Sequence, residues 1–273
     1  MERRTYWLRA LFAVTLFLIP SAARAAGPQV SLLSRGFGHP DDMAWGPQGS
    51  IYFSDFSNGA IDRLDPDGQI SVVVGGLGTP EGIVVQPDGT LIVVNQHPGQ
   101  LLRLDPATGA ASVLATIANP SAQLGIDSIR RDRRDGSLVV PDSPSGRILR
   151  VGRTGTVRVV AAGLGRPVDA LPLPDGALLV VDERLNGAFH IDRAGRARRL
   201  GGFLSVPDDI LGDGHGGYYI TCLGDNTLRH LSSAGTITLV AAGLPNPQGL
   251  LRRADGALIV SEEDANRIVL VRP

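Results

Sequence analysis

A small–polar–glycine turn returns about every forty residues along this chain, and that period restricts the fold more than any other property. It reads Pro47-Gln48-Gly49, Pro87-Asp88-Gly89, Arg134-Asp135-Gly136, Pro174-Asp175-Gly176, His215-Gly216-Gly217 and Ala254-Asp255-Gly256. The closing glycines are 40, 47, 40, 41 and 39 residues apart. A proline recurs upstream at Pro40, Pro80, Pro167, Pro207 and Pro247, with spacings that place the same seven-residue excess in the third repeat, around 119–134. Six repeats follow. Within 81–117, short β-branched or apolar runs are separated by tight turns, and none has helical length or period. Four strands per repeat at this period describe an all-β, six-bladed β-propeller.

The ends of the repeat array support a closed ring. The sixth repeat stops after its third strand, while residues 28–40 (PQVSLLSRGFGHP) resemble the fourth-strand segment TITLVAAGLPNP at 236–247. An N-terminal strand is therefore expected to complete the last blade, covering the edge that an open ring would expose.

Residues ahead of that strand read as an address. Arg3, Arg4 and Arg9 precede an apolar run over 10–19, and Ala23-Arg24-Ala25 has the form of a cleavage site. This is the plan of a secretory signal peptide over 1–25, with 26–273 as one propeller domain. The expected location is outside the cytoplasm, periplasmic or extracellular, by the general or the twin-arginine route, and without a membrane segment after cleavage. All 26 basic residues are arginine, so lysine-based Schiff-base and phosphate-loop chemistry is excluded. The single cysteine excludes an intrachain disulfide framework, and a net charge of −1 argues against a nucleic-acid partner. A monomer acting on a small molecule is the expected state.

The inner strand of each blade lines the tunnel, so residues just after the repeat proline should meet at one mouth. In blade order they are Asp41, Glu81, Asp127 (after Ile126), Val168, Asp208 and Gln248; the next are Asp42, Gly82, Ser128, Asp169, Asp209 and Gly249. Converging carboxylates must protonate, pair with arginine, stay hydrated or hold a cation. Hard oxygen donors suit Ca²⁺ or Mg²⁺, while capping of loop backbone is the alternative. A second column, Asp55, Asn95, Asp142, Asp182, Cys222 and Glu262, recurs in every blade. Such regularity points to loop capping, with Cys222 as a buried, inert thiol. His39 and His97 lie near the presumed mouth. Arg130, Arg131, Arg133 and Arg134 crowd the third repeat, where interleaved Asp132 and Asp135 suggest a self-paired, solvated face.

The pattern at 80–95, PEGIVVQPDGTLIVVN, resembles NHL-type repeats and the gluconolactonase and senescence-marker-protein family of six-bladed propellers. That resemblance implies one divalent ion in the tunnel, Ca²⁺ foremost with Mg²⁺, Mn²⁺ and Zn²⁺ as other candidates, and hydrolysis of a lactone or related ester. Carried over, it makes Asp41, Asp169 and Asp208 metal ligands and Asp208 also the catalytic base. In the fourth blade Val168 cannot ligate, which leaves Asp169 as the substitute. Asp127 falls at a substrate-contacting position, and Glu81, His39 and Gln248 are expected to contact substrate beside it. A non-catalytic propeller that binds a protein, glycan or small ligand uses the same residues and is the competing expectation.

Overall fold

The computed structural model describes residues 27–117 and 125–273. The signal-peptide reading, and the first part of the third-repeat insertion, fall outside the described residues. Six antiparallel sheets of four strands each succeed one another along the chain and pack blade against blade. The five sheets built from consecutive strands run outward from an inner strand. Blade 1, for example, comprises Pro40–Trp45, Ile51–Asp55, Ala60–Leu64 and Ile70–Val74. Blade 6 is completed by the N-terminal strand Gln29–Arg35, which pairs antiparallel with Arg267–Arg272 from Gln29↔Arg272 to Arg35↔Arg267. The ring is closed as the two terminal sequences imply.

Burial explains the sequence texture of the strands. Second strands such as Leu91–Asn95 and Leu178–Asp182 are buried at every position because a neighbouring blade covers each face. They read as continuous apolar runs rather than alternating ones. Outer strands such as Val157–Ala161 are exposed over their first residues and buried only at their last. The core is therefore divided into clusters between adjacent blades. One joins Met43, Phe53 and Leu64 of blade 1 to Ile259 and Ile268 of blade 6, across the closure.

Five of the six inner strands begin with a bulge. Pairing skips residues between Pro40 and Met43, Pro80 and Ile83, Pro207 and Ile210, and Pro247 and Leu250, and between Pro167 and Asp169 in blade 4. Two consecutive residues on a regular strand point to opposite faces, whereas a bulge re-aims one of them. Consequently Asp41 with Asp42, and Asp208 with Asp209, all reach the tunnel wall. Hydroxyls on the second strands hold these bulges: Thr221 Oγ1 accepts from Asp209 N (2.9 Å) and Ser261 Oγ from Gly249 N (2.8 Å). Ser261 Oγ in turn donates to the Asp41 carbonyl across the blade 6–blade 1 junction (2.6 Å).

Candidate functional site

The tunnel carries its acids in two layers. The deeper layer is Asp42, Asp169 and Asp209, gathered around Arg130, whose guanidinium enters from the third blade. Arg130 Nε and Nη2 grip Asp169 as a fork, at 2.9 and 2.7 Å, and Nη2 also bonds Asp209 and the Ile210 carbonyl. Asp169 additionally accepts from Ala170 N (2.7 Å) and from Ile210 N of the next blade (3.0 Å). Asp209 repeats that stitch by accepting from Leu250 N of blade 6 (2.5 Å). These carboxylates tie successive inner strands together.

Their titration follows from sharing one guanidinium. Burial works against Asp169's charge, but Arg130's charge and hydrogen bonds hold its carboxyl below the usual range. Asp209 is pushed well up by burial, against Arg130's pull, with Asp42 and Asp169 adding repulsion. Burial also lifts Asp42 to about 6, partly offset by Arg130. One arginine cannot neutralise three carboxylates, so Asp169 keeps the charge and its neighbours hold protons more tightly.

The upper layer opens into a cavity of about 230 Å³ lined by Asp41, Glu81, Asp127 and Asp208, with Gln96, Arg166, Glu183 and Gln248 at its sides. Arg166 pairs with Glu183 and approaches Asp127 at 3.4 Å. Asp127 Oδ2 also accepts from Ser143 Oγ at 2.5 Å, and Gln96 Nε2 donates to Glu81. Among the described residues, Asp41, Glu81 and Asp208 have no arginine within ion-pair distance. Burial is the first reason that all three are pushed well above the ordinary carboxylate range. Repulsion adds to it: from Asp42 and Glu263 on Asp41, from Asp127 and Asp41 on Glu81, and from Asp41 and Asp127 on Asp208. Close packing holds the arrangement together, since a Cβ on Gly249 would sit 2.8 Å from the Asp41 carbonyl oxygen.

The structure thus gathers Asp41, Glu81, Asp127, Asp208 and Gln248 at one mouth, as the repeat proline suggests. Two expected site residues are placed elsewhere. Asp169 is 1% exposed, lies below the cavity, and its oxygens are occupied by Arg130 and backbone amides; it is a structural carboxylate and not a free ligand. His39 stands outside the cavity with its side chain 46% exposed, Nδ1 lying 3.6 Å from Glu263. Gln248 lines the cavity but directs its amide to Glu263 (2.7 Å). The third-repeat arginines are not all solvated: Arg130 is inside the tunnel, although Arg134 does pair with Asp132 at 2.7 Å.

The second column caps loops. Asp55 accepts from the backbone of Gly38 (2.6 Å) and Asn58 (3.1 Å), and Asp182 from Gly165, Arg166 and Leu185 at 2.7–3.0 Å. Asn95 Oδ1 accepts from Thr79 N (2.9 Å). Asp142 and Glu262 instead meet Arg147 and Arg267. Cys222 is fully buried and burial pushes its thiol up to about 12, which makes it inert at neutral pH.

Fold and site together define a closed six-bladed propeller with an acidic tunnel mouth, sealed below by an arginine. The same fold is found in a gluconolactonase of Xanthomonas campestris (TM-score 0.75, 16% identity, covering 89% of each chain). A virginiamycin B lyase of Staphylococcus aureus, solved in an inactive histidine-to-alanine form with quinupristin, also shares it (0.68, 18%, 88% of this chain and 83% of that one). So does an auxiliary nutrient binding protein of Bacteroides ovatus (0.73, 12%, 90% and 77%). No protein-family model and no curated protein sequence matches the chain. At these identities the likeness is one of fold: the chain has the propeller architecture of gluconolactonases.

Proposed function

We propose that this protein is a small-molecule hydrolase of the lactonase kind, exported from the cytoplasm, whose chemistry takes place at the acidic mouth with the help of a divalent cation. The observation that carries this reading is the uncompensated trio Asp41, Glu81 and Asp208. Asp169, Asp209 and Asp127 each have a guanidinium within ion-pair distance, whereas among the described residues these three have none, and the cavity's one lining arginine, Arg166, faces Glu183 and Asp127.

The donor chemistry fits a hard cation, Ca²⁺ foremost, because carboxylates from blades 1, 2 and 5 line one cavity. As the side chains stand, no three His, Cys, Asp or Glu groups among the described residues surround a single point. Val168 gives blade 4 no donor, and Asp169 is committed to Arg130. Asp41, Glu81 and Asp208 are therefore the residues that would hold the ion, with Asp127 beside them. Such an ion supplies polarisation of an ester carbonyl and acidification of a water.

The chain's own groups do the rest. Asp208, which receives no hydrogen bond among the described residues, is placed to take the proton of an attacking water. The water oxygen bonds to the carbonyl carbon, the ring C–O bond breaks, and the proton passes to the departing ring oxygen, giving a hydroxy acid. Arg166 and Gln96, fixed by Glu183 and Glu81, present N–H groups to substrate oxygens. The lyase likeness is the weaker guide, since that enzyme is inactivated by loss of one histidine and no histidine lines this cavity among the described residues.

A lactone panel assayed with added Ca²⁺ tests the reading. Turnover of at least one lactone is expected in the wild type, with a loss of 10²-fold or more in Asp208→Asn, the range spanned by a positioned general base. Saturable ligand binding without turnover would favour the non-catalytic propeller, and turnover unchanged in Asp208→Asn would refute the site.

A further inference from the structure

Below Arg130 the tunnel changes character. The inner strands continue past the acid layers into Met43–Trp45, Ile83–Val85, Ile129, Leu171, Leu211 and Leu251, which line an open bowl of about 800 Å³ at the opposite mouth. Arg130 separates the two chambers and lines the bowl's floor, but its charge is taken up by Asp169 and Asp209. Trp45, 38% exposed, stands on one wall. The third blade adds Arg131, Asp132, Arg133 and Arg134 on one side only. Arg134 and Arg150 are occupied by Asp132, each at 2.7 Å, but neither Arg131 nor Arg133 has a carboxylate within ion-pair distance among the described residues. The buried Nε of Arg131 also has no acceptor.

An apolar concavity of this size with a few convergent polar groups has the form of a small-molecule site. Guanidinium groups confined to one rim select a planar anionic head, which they bind as a fork. We propose that this bowl is a second ligand site, independent of the acidic mouth, for a small amphipathic anion. Its ligand is an aliphatic or aryl carboxylate whose apolar body, about ten to fourteen carbons, fills the bowl while the anionic head meets Arg131 and Arg133. The two mouths then sort ligands by charge, cations above and anions below.

Calorimetric titration of the protein with dodecanoate below its micelle concentration tests this. One saturable site is expected, with dodecyltrimethylammonium at least ten-fold weaker. Arg131→Gln combined with Arg133→Gln should weaken dodecanoate at least ten-fold. Leu171→Asp should abolish binding, and Trp45→Ala, at a half-exposed position where folding is not at stake, should weaken it. Circular dichroism checks that each variant is folded. Absence of a saturable site, equal binding of the cationic and anionic amphiphiles, or an unchanged affinity in the double arginine variant would overturn the proposal.

Discussion

Arg130 is the residue on which the interior electrostatics turn. It is the one charge at its level, because the equivalent inner-strand positions are Ala44, Val84, Leu171, Leu211 and Leu251. That contrast is visible in the sequence, but only once the column four residues past the repeat proline is aligned. Read locally, Arg130 belongs to an exposed basic cluster, and Asp169 then looks like a free ligand. Removing the guanidinium leaves Asp169 and Asp209 buried without compensation, so Arg130→Met should cost about 3–5 kcal/mol. Urea denaturation measures this, and adding Asp169→Asn should recover part of the loss. Asp62 shows the opposite case. It is buried in the third strand of blade 1, Oδ1 lacks a partner, and burial with repulsion from Asp55 lifts it to about 6. Its folded value exceeds the unfolded one, so ionisation weakens the fold increasingly as pH rises from about 4 through 6. Asp62→Asn should therefore stabilise by about 1–3 kcal/mol at pH 8 and have little effect at pH 4. Thermal melts at the two pH values decide it.

At the level of strands and turns, the sequence carries most of the information. Asp-Gly and similar turns, the forty-residue period and the orphan strand at residues 28–40 lead directly to blades and closure, because these signals are local. The bulges that start the inner strands are not local. They depend on pairing between Pro40 and Asp55, or Pro207 and Cys222, and on hydroxyls from the second strand. Simple alternation therefore fails to show that both members of Asp41-Asp42 face inward. One loop position is strained. Ahead of the repeat proline of blade 6, Asn246 adopts φ 50°, a left-handed conformation that asparagine tolerates. The same place in blade 5 is Val206, at φ 49°, where a β-branched side chain is a poor fit. Val206→Asn should stabilise the protein by about 1 kcal/mol, seen as a higher denaturant midpoint with an unchanged slope.

Across the whole molecule, the ring places two chemically opposite chambers on one axis. The acidic mouth was legible because four of the six blades, with Asp41, Glu81, Asp127 and Asp208, place an acid at the same register. Arg166 is harder to see, since it precedes the repeat proline where other blades carry His39, Thr79, Val206 and Asn246. The apolar bowl leaves no motif, since its residues are ordinary strand positions until six blades set them in a circle. We propose that Asp41, Glu81 and Asp208 hold a divalent cation. A cation that binds only the folded state must raise its melting temperature. The direct measurement is the melting temperature in EDTA against a Ca²⁺ series, for the wild type and for Asp41→Asn with Asp208→Asn. The expected result is a saturable rise of several degrees in the wild type that the double variant lacks. An identical melting temperature in EDTA and in saturating Ca²⁺, Mg²⁺, Mn²⁺ or Zn²⁺ would contradict it.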